Sequence, residues 1–172
     1  MDRSAAAAAP SPTATGTLTT TSPEQTRALG RALGAVAQPG TLLALIGPLG
    51  AGKTLLTKGL AEGLGVRSVV NSPTFVLMNE HAGRLRLFHV DAYRLDDPEE
   101  ALAAGLFDER QAGGVTVVEW ADRLAGWLPD EHLEIEIEPD PDRDDGRTLR
   151  WRASGAQPAR LATAALPQSE NG

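Results

Sequence analysis

The sequence predicts an α/β fold, a mixed central sheet flanked by helices, on three observations. The first is an apolar run, a glycine-rich turn and an amphipathic segment in succession: Leu42-Leu43-Ala44-Leu45-Ile46, then residues 47–54, then Leu56, Leu60 and Leu64 at helical spacing. The second is a pair of short apolar runs, 75–78 and 85–90, on either side of a turn at His81-Ala82-Gly83-Arg84. They read as an antiparallel hairpin, which makes the sheet mixed rather than purely parallel. The third is Val115-Thr116-Val117-Val118, bounded by Gly113-Gly114 and ending at Glu119-Trp120, the continuous apolar run of a strand buried on both faces. A chain of 172 residues, 41% hydrophobic and 23% charged, suits one domain with its own core.

Each element follows from local signals. Residues 1–18 are rich in Ala, Pro, Ser and Thr and show no period, so a disordered tail is expected there. The domain is expected over residues 19–155. A second disordered tail is expected over 156–172, where Pro, Gln, Ser and Gly return. Ser22-Pro23-Glu24-Gln25 opens the first helix: Ser22 caps, Pro23 takes the first helical position and Gln25 completes a capping box. Leu29, Leu33 and Val36 continue it at helical spacing until Pro39-Gly40. The helix after residue 54 stops at Gly63 or Gly65. Asp97-Pro98-Glu99-Glu100 repeats the start signal for a short helix ending near Gly105, and another short helix is expected over 121–127, stopped by Pro129. Leu133, Ile135 and Ile137 alternate with Glu134, Glu136 and Glu138, a strand with one acidic face. The turn at 139–146 leads back into a closing hairpin through Thr148 to Trp151.

Residues 47–54, Gly47-Pro48-Leu49-Gly50-Ala51-Gly52-Lys53-Thr54, match G-x-x-x-x-G-K-[ST] between a strand and a helix, the context in which that pattern carries a mechanism. A loop that wraps a pyrophosphate turns its N–H groups inward and must let phosphate approach, which excludes side chains at Gly50 and Gly52. The helix beginning near Lys53 adds the partial positive charge of its N-terminus. Lys53 would reach the outer phosphates as a point charge, and the Thr54 hydroxyl would ligate Mg2+. The expectation is a single P-loop NTPase-like domain.

Composition narrows the classes. The chain has no cysteine, which excludes disulfides, zinc–thiolate sites and cysteine nucleophiles. No apolar run approaches the roughly 20 residues needed to span a bilayer. The N-terminus, with small residues and no large-apolar core, does not read as a signal peptide, so the cytoplasm is expected. The net charge of −7 comes without a basic stripe, which argues against autonomous nucleic-acid binding.

Nucleotide hydrolysis further needs a carboxylate near the metal and a group to orient the attacking water. Asp91, after Leu87-Phe88-His89-Val90, and Glu119, after the run 115–118, both stand at the carboxyl ends of predicted strands. Ser72-Pro73-Thr74 lies between the loop and Asp91, where a γ-phosphate-sensing hydroxyl could sit, although Ser-Pro also favours a plain turn. His89 shares a strand face with Asp91 and reads equally as a packed core histidine. Arg94 could stabilise transferred charge or pair with Asp96. His81 and His132 read as turn and strand-edge residues, and Trp120 and Trp127 as packing.

The loop 47–54, Ser72-Pro73-Thr74-Phe75, His89-Val90-Asp91-Ala92-Tyr93-Arg94-Leu95 with Pro98-Glu99-Glu100, and Glu119-Trp120 occur in that order. The succession resembles the bacterial TsaE family, the small ATPase needed to make threonylcarbamoyladenosine in tRNA, over about residues 20–153. The resemblance implies ATP and Mg2+ bound by Gly47, Leu49, Gly50, Ala51, Gly52, Lys53, Thr54 and Leu55, with Thr54 and Glu119 on the metal. It implies that Asp91 is required for hydrolysis alongside Glu119 and Lys53, and that residues 72–75, with Thr74 at the nucleotide, behave as a switch. It also implies docking on the TsaB–TsaD pair, which completes the modification after TsaC makes threonylcarbamoyl-adenylate, leaving tRNA contact largely to the partners. In the family an arginine late in the chain lies near the nucleotide, and Arg147 fits that place best. His81 stands where the family commonly has a tyrosine.

Two other readings remain open on the residues alone. A nucleotide-dependent docking module would use binding and make hydrolysis incidental. A small-molecule kinase would need an arginine-bearing lid, and no lid-like insertion is present. A GTPase is disfavoured because no Asn-Lys-x-Asp stretch occurs.

Overall fold

A computed structural model describes residues 13–73 and 77–167. Seven strands form one sheet in the order β1-β7-β6-β2-β5-β4-β3, with β1 Ala14–Thr20, β2 Leu42–Ile46, β3 Met78–His81, β4 Leu87–Asp91, β5 Val115–Glu119, β6 His132–Pro139 and β7 Arg147–Ser154. The four inner strands β6, β2, β5 and β4 run parallel, whereas β3 on one side and β7 and β1 on the other pair antiparallel. The sheet is mixed as expected, and both expected hairpins are present.

The helices are α1 Pro23–Val36, α2 Lys53–Gly63, α3 Pro98–Ala103 and α4 Ala156–Ala165. One core lies between the sheet and α1, α2 and α4, where Leu33, Leu56 and Leu60 meet Leu43, Leu45, Val117 and Ile135. Fully burying each such leucine contributes about 1.5–3 kcal/mol. A smaller core on the opposite face joins Leu42, Ala44, Val90 and Val118 to Ala101 of α3 and to Leu124. Leu124 belongs to a 3₁₀ turn, Ala121–Leu124, shorter than the helix expected over 121–127.

The start of α1 is capped as predicted, with Gln25 N–H donating to Ser22 Oγ at 3.2 Å. The return bond lands one residue earlier than in a standard capping box: Thr21 N–H donates to Gln25 Oε1 at 2.7 Å.

Both predicted tails need correction. The expected N-terminal tail contains most of β1, which pairs with β7 from Ala14↔Ala153 to Thr20↔Arg147. Thr15, Thr17 and Thr19 face solvent while Leu18 packs on the core and Thr20 is buried, an alternation obscured by the glycine at its centre. Gly16 is needed there because a Cβ would collide with the indole of Trp151 on β7. The expected C-terminal tail contains α4, whose Leu161 and Ala162 are buried against the larger core together with Leu166. Pro158 is tolerated because it lies in the first turn, where backbone N–H groups have no helical partner. Residues 1–12 and 168–172 lie outside the described residues.

Candidate functional site

The carboxyl ends of β2, β4 and β5 converge on the turn between β2 and α2. Gly47 leaves β2 where a Cβ would strike the Ile137 carbonyl of β6. Gly50 (φ 78°) and Gly52 (φ 112°) occupy the left-handed region that favours glycine. Gly52 is the N-cap of α2 and accepts the N–H of Leu56 at 2.9 Å. Leu49 projects from the loop 84% exposed, whereas Ala51 is buried.

Lys53 is folded against its own loop. Its Nζ donates to the carbonyls of Gly47 at 2.6 Å and Pro48 at 2.9 Å, and stands 4.1 Å from the centroid of the Trp120 ring. Burial draws its pKa below the usual lysine value, opposed by the negative charges of Glu119, Asp91 and Asp122. Trp120 packs against the smaller core as expected, and at φ 58° it also lines the cavity at the loop, with its ring within 4.8 Å of Tyr93, centroid to centroid.

Thr54, in the first turn of α2, donates its hydroxyl to Glu119 Oε1 at 2.7 Å. Its oxygen also lies 3.0 Å from Ser72 Oγ. Glu119 is 2% exposed, and its other oxygen meets His89 Nε2. Asp91 stands beside Glu119 in the parallel register of β4 and β5. Its Oδ1 accepts the N–H of Tyr93 at 2.9 Å. Burial raises the Asp91 pKa, partly offset by that bond, while the Glu119 charge pushes it up further.

Arg147, the first residue of β7, reaches back to the loop. Its Nε donates to Ala51 O at 2.8 Å, and an Nη lies 3.4 Å from Gly50 O. Two further bonds, to the carbonyls of Asp144 and Gly146, hold the guanidinium in place.

Of the predicted site residues, Leu49, Gly50, Ala51, Gly52, Lys53, Thr54, Leu55, Asp91, Glu119 and Arg147 all line one cavity of about 490 Å³. Gly47 contributes its carbonyl to Lys53 from beneath the loop. Thr74 and Phe75 of the expected switch lie outside the described residues, while Ser72 lines the cavity. Arg94 lines an adjoining cavity that shares Ser72, Asp91 and Tyr93. Sequence reasoning missed Pro23 and Thr26 of α1 and Asp145 of the β6–β7 turn, which complete the wall. No local signal marks them, since only the packing of α1 on α2 and of β7 on β6 brings them there. His81 is not a turn residue: it ends β3, 8% exposed, with Nδ1 2.8 Å from Ser68 Oγ.

These features define an α/β protein whose cleft is built on a glycine-rich strand–loop–helix, with lysine, hydroxyl and carboxylates gathered around the loop. The chain belongs to the TsaE family, whose model, "Threonylcarbamoyl adenosine biosynthesis protein TsaE", matches residues 20–149. A tRNA threonylcarbamoyladenosine biosynthesis protein TsaE of Bacillus subtilis is 45% identical over 137 residues, 79% of this chain and 84% of that protein. The protein of the same name from Streptomyces coelicolor is 43% identical over 115 residues, 65% of this chain and 78% of its own length. Among solved structures, the crystal structure of Bacillus subtilis YdiB superposes with a TM-score of 0.72 at 36% identity, covering 87% of this chain and 93% of that one.

Proposed function

We propose that this protein is a Mg2+-dependent P-loop ATPase of the tRNA threonylcarbamoyladenosine pathway, a cytoplasmic subunit that couples ATP turnover to resetting a TsaB–TsaD pair. One observation carries the reading. The first-turn hydroxyl of α2 and the strand-end carboxylate of β5, 65 residues apart in sequence, meet at 2.7 Å beside a glycine loop whose lysine is buried.

The donor set fits magnesium. Thr54 and Glu119 offer hard oxygens, and no group of three or more His, Cys, Asp or Glu that could cage a metal occurs among the described residues. That suits an ion held by one or two protein oxygens, with substrate phosphates completing its shell. When bound, magnesium would neutralise charge on the outer phosphates.

The chain's own residues supply the rest. The loop and the start of α2 direct N–H groups at the phosphates. Lys53 exchanges the carbonyls of Gly47 and Pro48 for phosphate oxygens, and Arg147 adds a second cation across the loop. Asp91 orients the attacking water and accepts its proton as the new oxygen–phosphorus bond forms and the bond to the bridging oxygen of ADP breaks. Among the described residues no helix is long and apolar enough to cross a membrane.

Steady-state phosphate release, measured with and without TsaB–TsaD, tests the reading. We expect slow turnover alone and faster turnover with the partners. Asp91→Asn should retain ATP binding and lose about 10²–10⁴-fold in rate. Because burial raises the Asp91 pKa, the wild-type rate should climb with pH over a window above the ordinary aspartate range, and the variant should lack that limb. The sign for stability is opposite. A raised carboxyl pKa favours the fold at low pH and loses that contribution as pH rises through the folded value, so Asp91→Asn should not destabilise the free protein at neutral pH. Partner-independent turnover, or an unimpaired asparagine variant, would overturn the coupling.

A further inference from the structure

We propose that His89 is a positioning residue that fixes the carboxylate of Glu119 for a bound divalent cation, an inference that rests on reading Thr54 and Glu119 as the metal's protein ligands. His89 lies on β4 opposite Val117 of β5, and Asp91 opposite Glu119, so His89 and Glu119 project from the same face of neighbouring strands. The histidine side chain is fully buried and that of Glu119 is 3% exposed. Nε2 of His89 meets Oε2 of Glu119, leaving Oε1 to the Thr54 hydroxyl.

Nδ1 of His89 is buried with no hydrogen-bond partner. An ionised carboxylate only accepts, so in the neutral ring the proton belongs on Nε2, and the Nδ1 lone pair is turned into the interior. A leucine or phenylalanine would fill this volume without burying an unpartnered nitrogen. Packing therefore does not account for histidine here, whereas the bond to Glu119 does. With Oε2 held from inside the sheet, the carboxylate cannot turn its plane, and Oε1 alone faces the cleft. A partner that orients a metal ligand in this way typically changes metal affinity by about 10–100-fold when removed.

The test uses the full-length protein and follows binding of a fluorescent ADP analogue during Mg2+ titration and again in EDTA, with Mn2+ binding read by electron paramagnetic resonance. His89→Leu keeps the volume and removes the donor, while His89→Gln keeps an N–H at the reach of Nε2. We expect His89→Leu to need roughly 10–100-fold more Mg2+ for half-maximal binding, with metal-free affinity unchanged and Mn2+ binding weakened in parallel. His89→Gln should recover most of the shift. Should the leucine variant not fold, His89→Asn, whose amide falls short of Glu119, takes its place with the same expectation. A metal midpoint equal to wild type, or an equal loss in EDTA, overturns the assignment while leaving the ATPase reading intact. Wild-type nucleotide binding indifferent to metal overturns both.

Discussion

The glycines where α1 meets α2 and the glycines of the loop before α2 solve different problems. Gly30 and Gly34 on α1 face Gly59 and Gly63 on α2, each pair four residues apart, so each helix shows a glycine stripe to the other. A Cβ on Gly30 would collide with the Leu56 carbonyl, on Gly34 with Leu60, on Gly59 with Arg27 and on Gly63 with Arg31. None of the four has a positive φ, so the backbone would accept alanine and the space would not. Gly50 is the reverse: nothing lies within 4 Å of its would-be Cβ, and its φ of 78° is what a side chain would strain. The first set fixes how closely the helices approach, and thereby carries Pro23 and Thr26 to the cleft wall. The second fixes where backbone N–H groups point. Damage at the seam should therefore appear as lost stability, and damage at the loop as lost ligand.

The largest effect should come at the seam. Gly59→Ala forces the helices apart along backbone that cannot relax locally, and about 3 kcal/mol of stability should be lost, read as a lower urea midpoint. An unchanged midpoint would break the claim that the stripes are in direct contact. Next is Lys53→Ala, which should weaken nucleotide binding about 100-fold, or about 2.7 kcal/mol, while the urea midpoint moves by about 1 kcal/mol or less. A variant that unfolds instead would make the lysine a structural member like the seam glycines. Gly50→Ala is milder, because a single left-handed alanine costs about 1–2 kcal/mol. Its nucleotide affinity should fall further than its stability if the loop's conformation belongs to the ligand.

How much of this was legible follows from how local each signal is. The cap at Ser22, the cap at Asp97, the glycine loop and the closing hairpin are written within a few residues, and the structure has them where the sequence puts them, whereas the β3–β4 hairpin is present with His81 in its first strand and not in the turn. β1 and α4 were not legible because each is completed by distant chain. Gly16 makes β1 read as low complexity, yet the Trp151 indole occupies the space its side chain would have taken. α4 is rich in alanine and becomes a buried helix only through Leu161 and Ala162 against a core assembled elsewhere. At the site, Asp91 and Glu119 were marked by ending strands. His89 was ambiguous because a core histidine and a positioning one look alike until the carboxylate two residues past its strand neighbour is seen against Nε2.

The smallest effect sharpens the seam itself. Glu62 of α2 pairs with Arg27 and Arg31 of α1 along its outer edge, the latter at 3.1 Å, so ion pairs could be credited with holding the helices together. The hydrogen bond from Arg27, then that from Arg31, lowers the Glu62 pKa. The sign is that of a depressed carboxylate: its contribution is present above the unfolded pKa and lost as pH falls through the folded one. The pair is screened, since Glu62 keeps 33% and Arg27 42% of their side-chain surface in water, and exposed pairs contribute about 0.2–1 kcal/mol. Glu62→Gln should therefore lower stability at pH 7 by no more than about 1 kcal/mol, with the difference from wild type vanishing in acid and shrinking in high salt. A loss matching that of Gly59→Ala would mean that charge, and not the bare backbone contact of four glycines, sets the distance between α1 and α2.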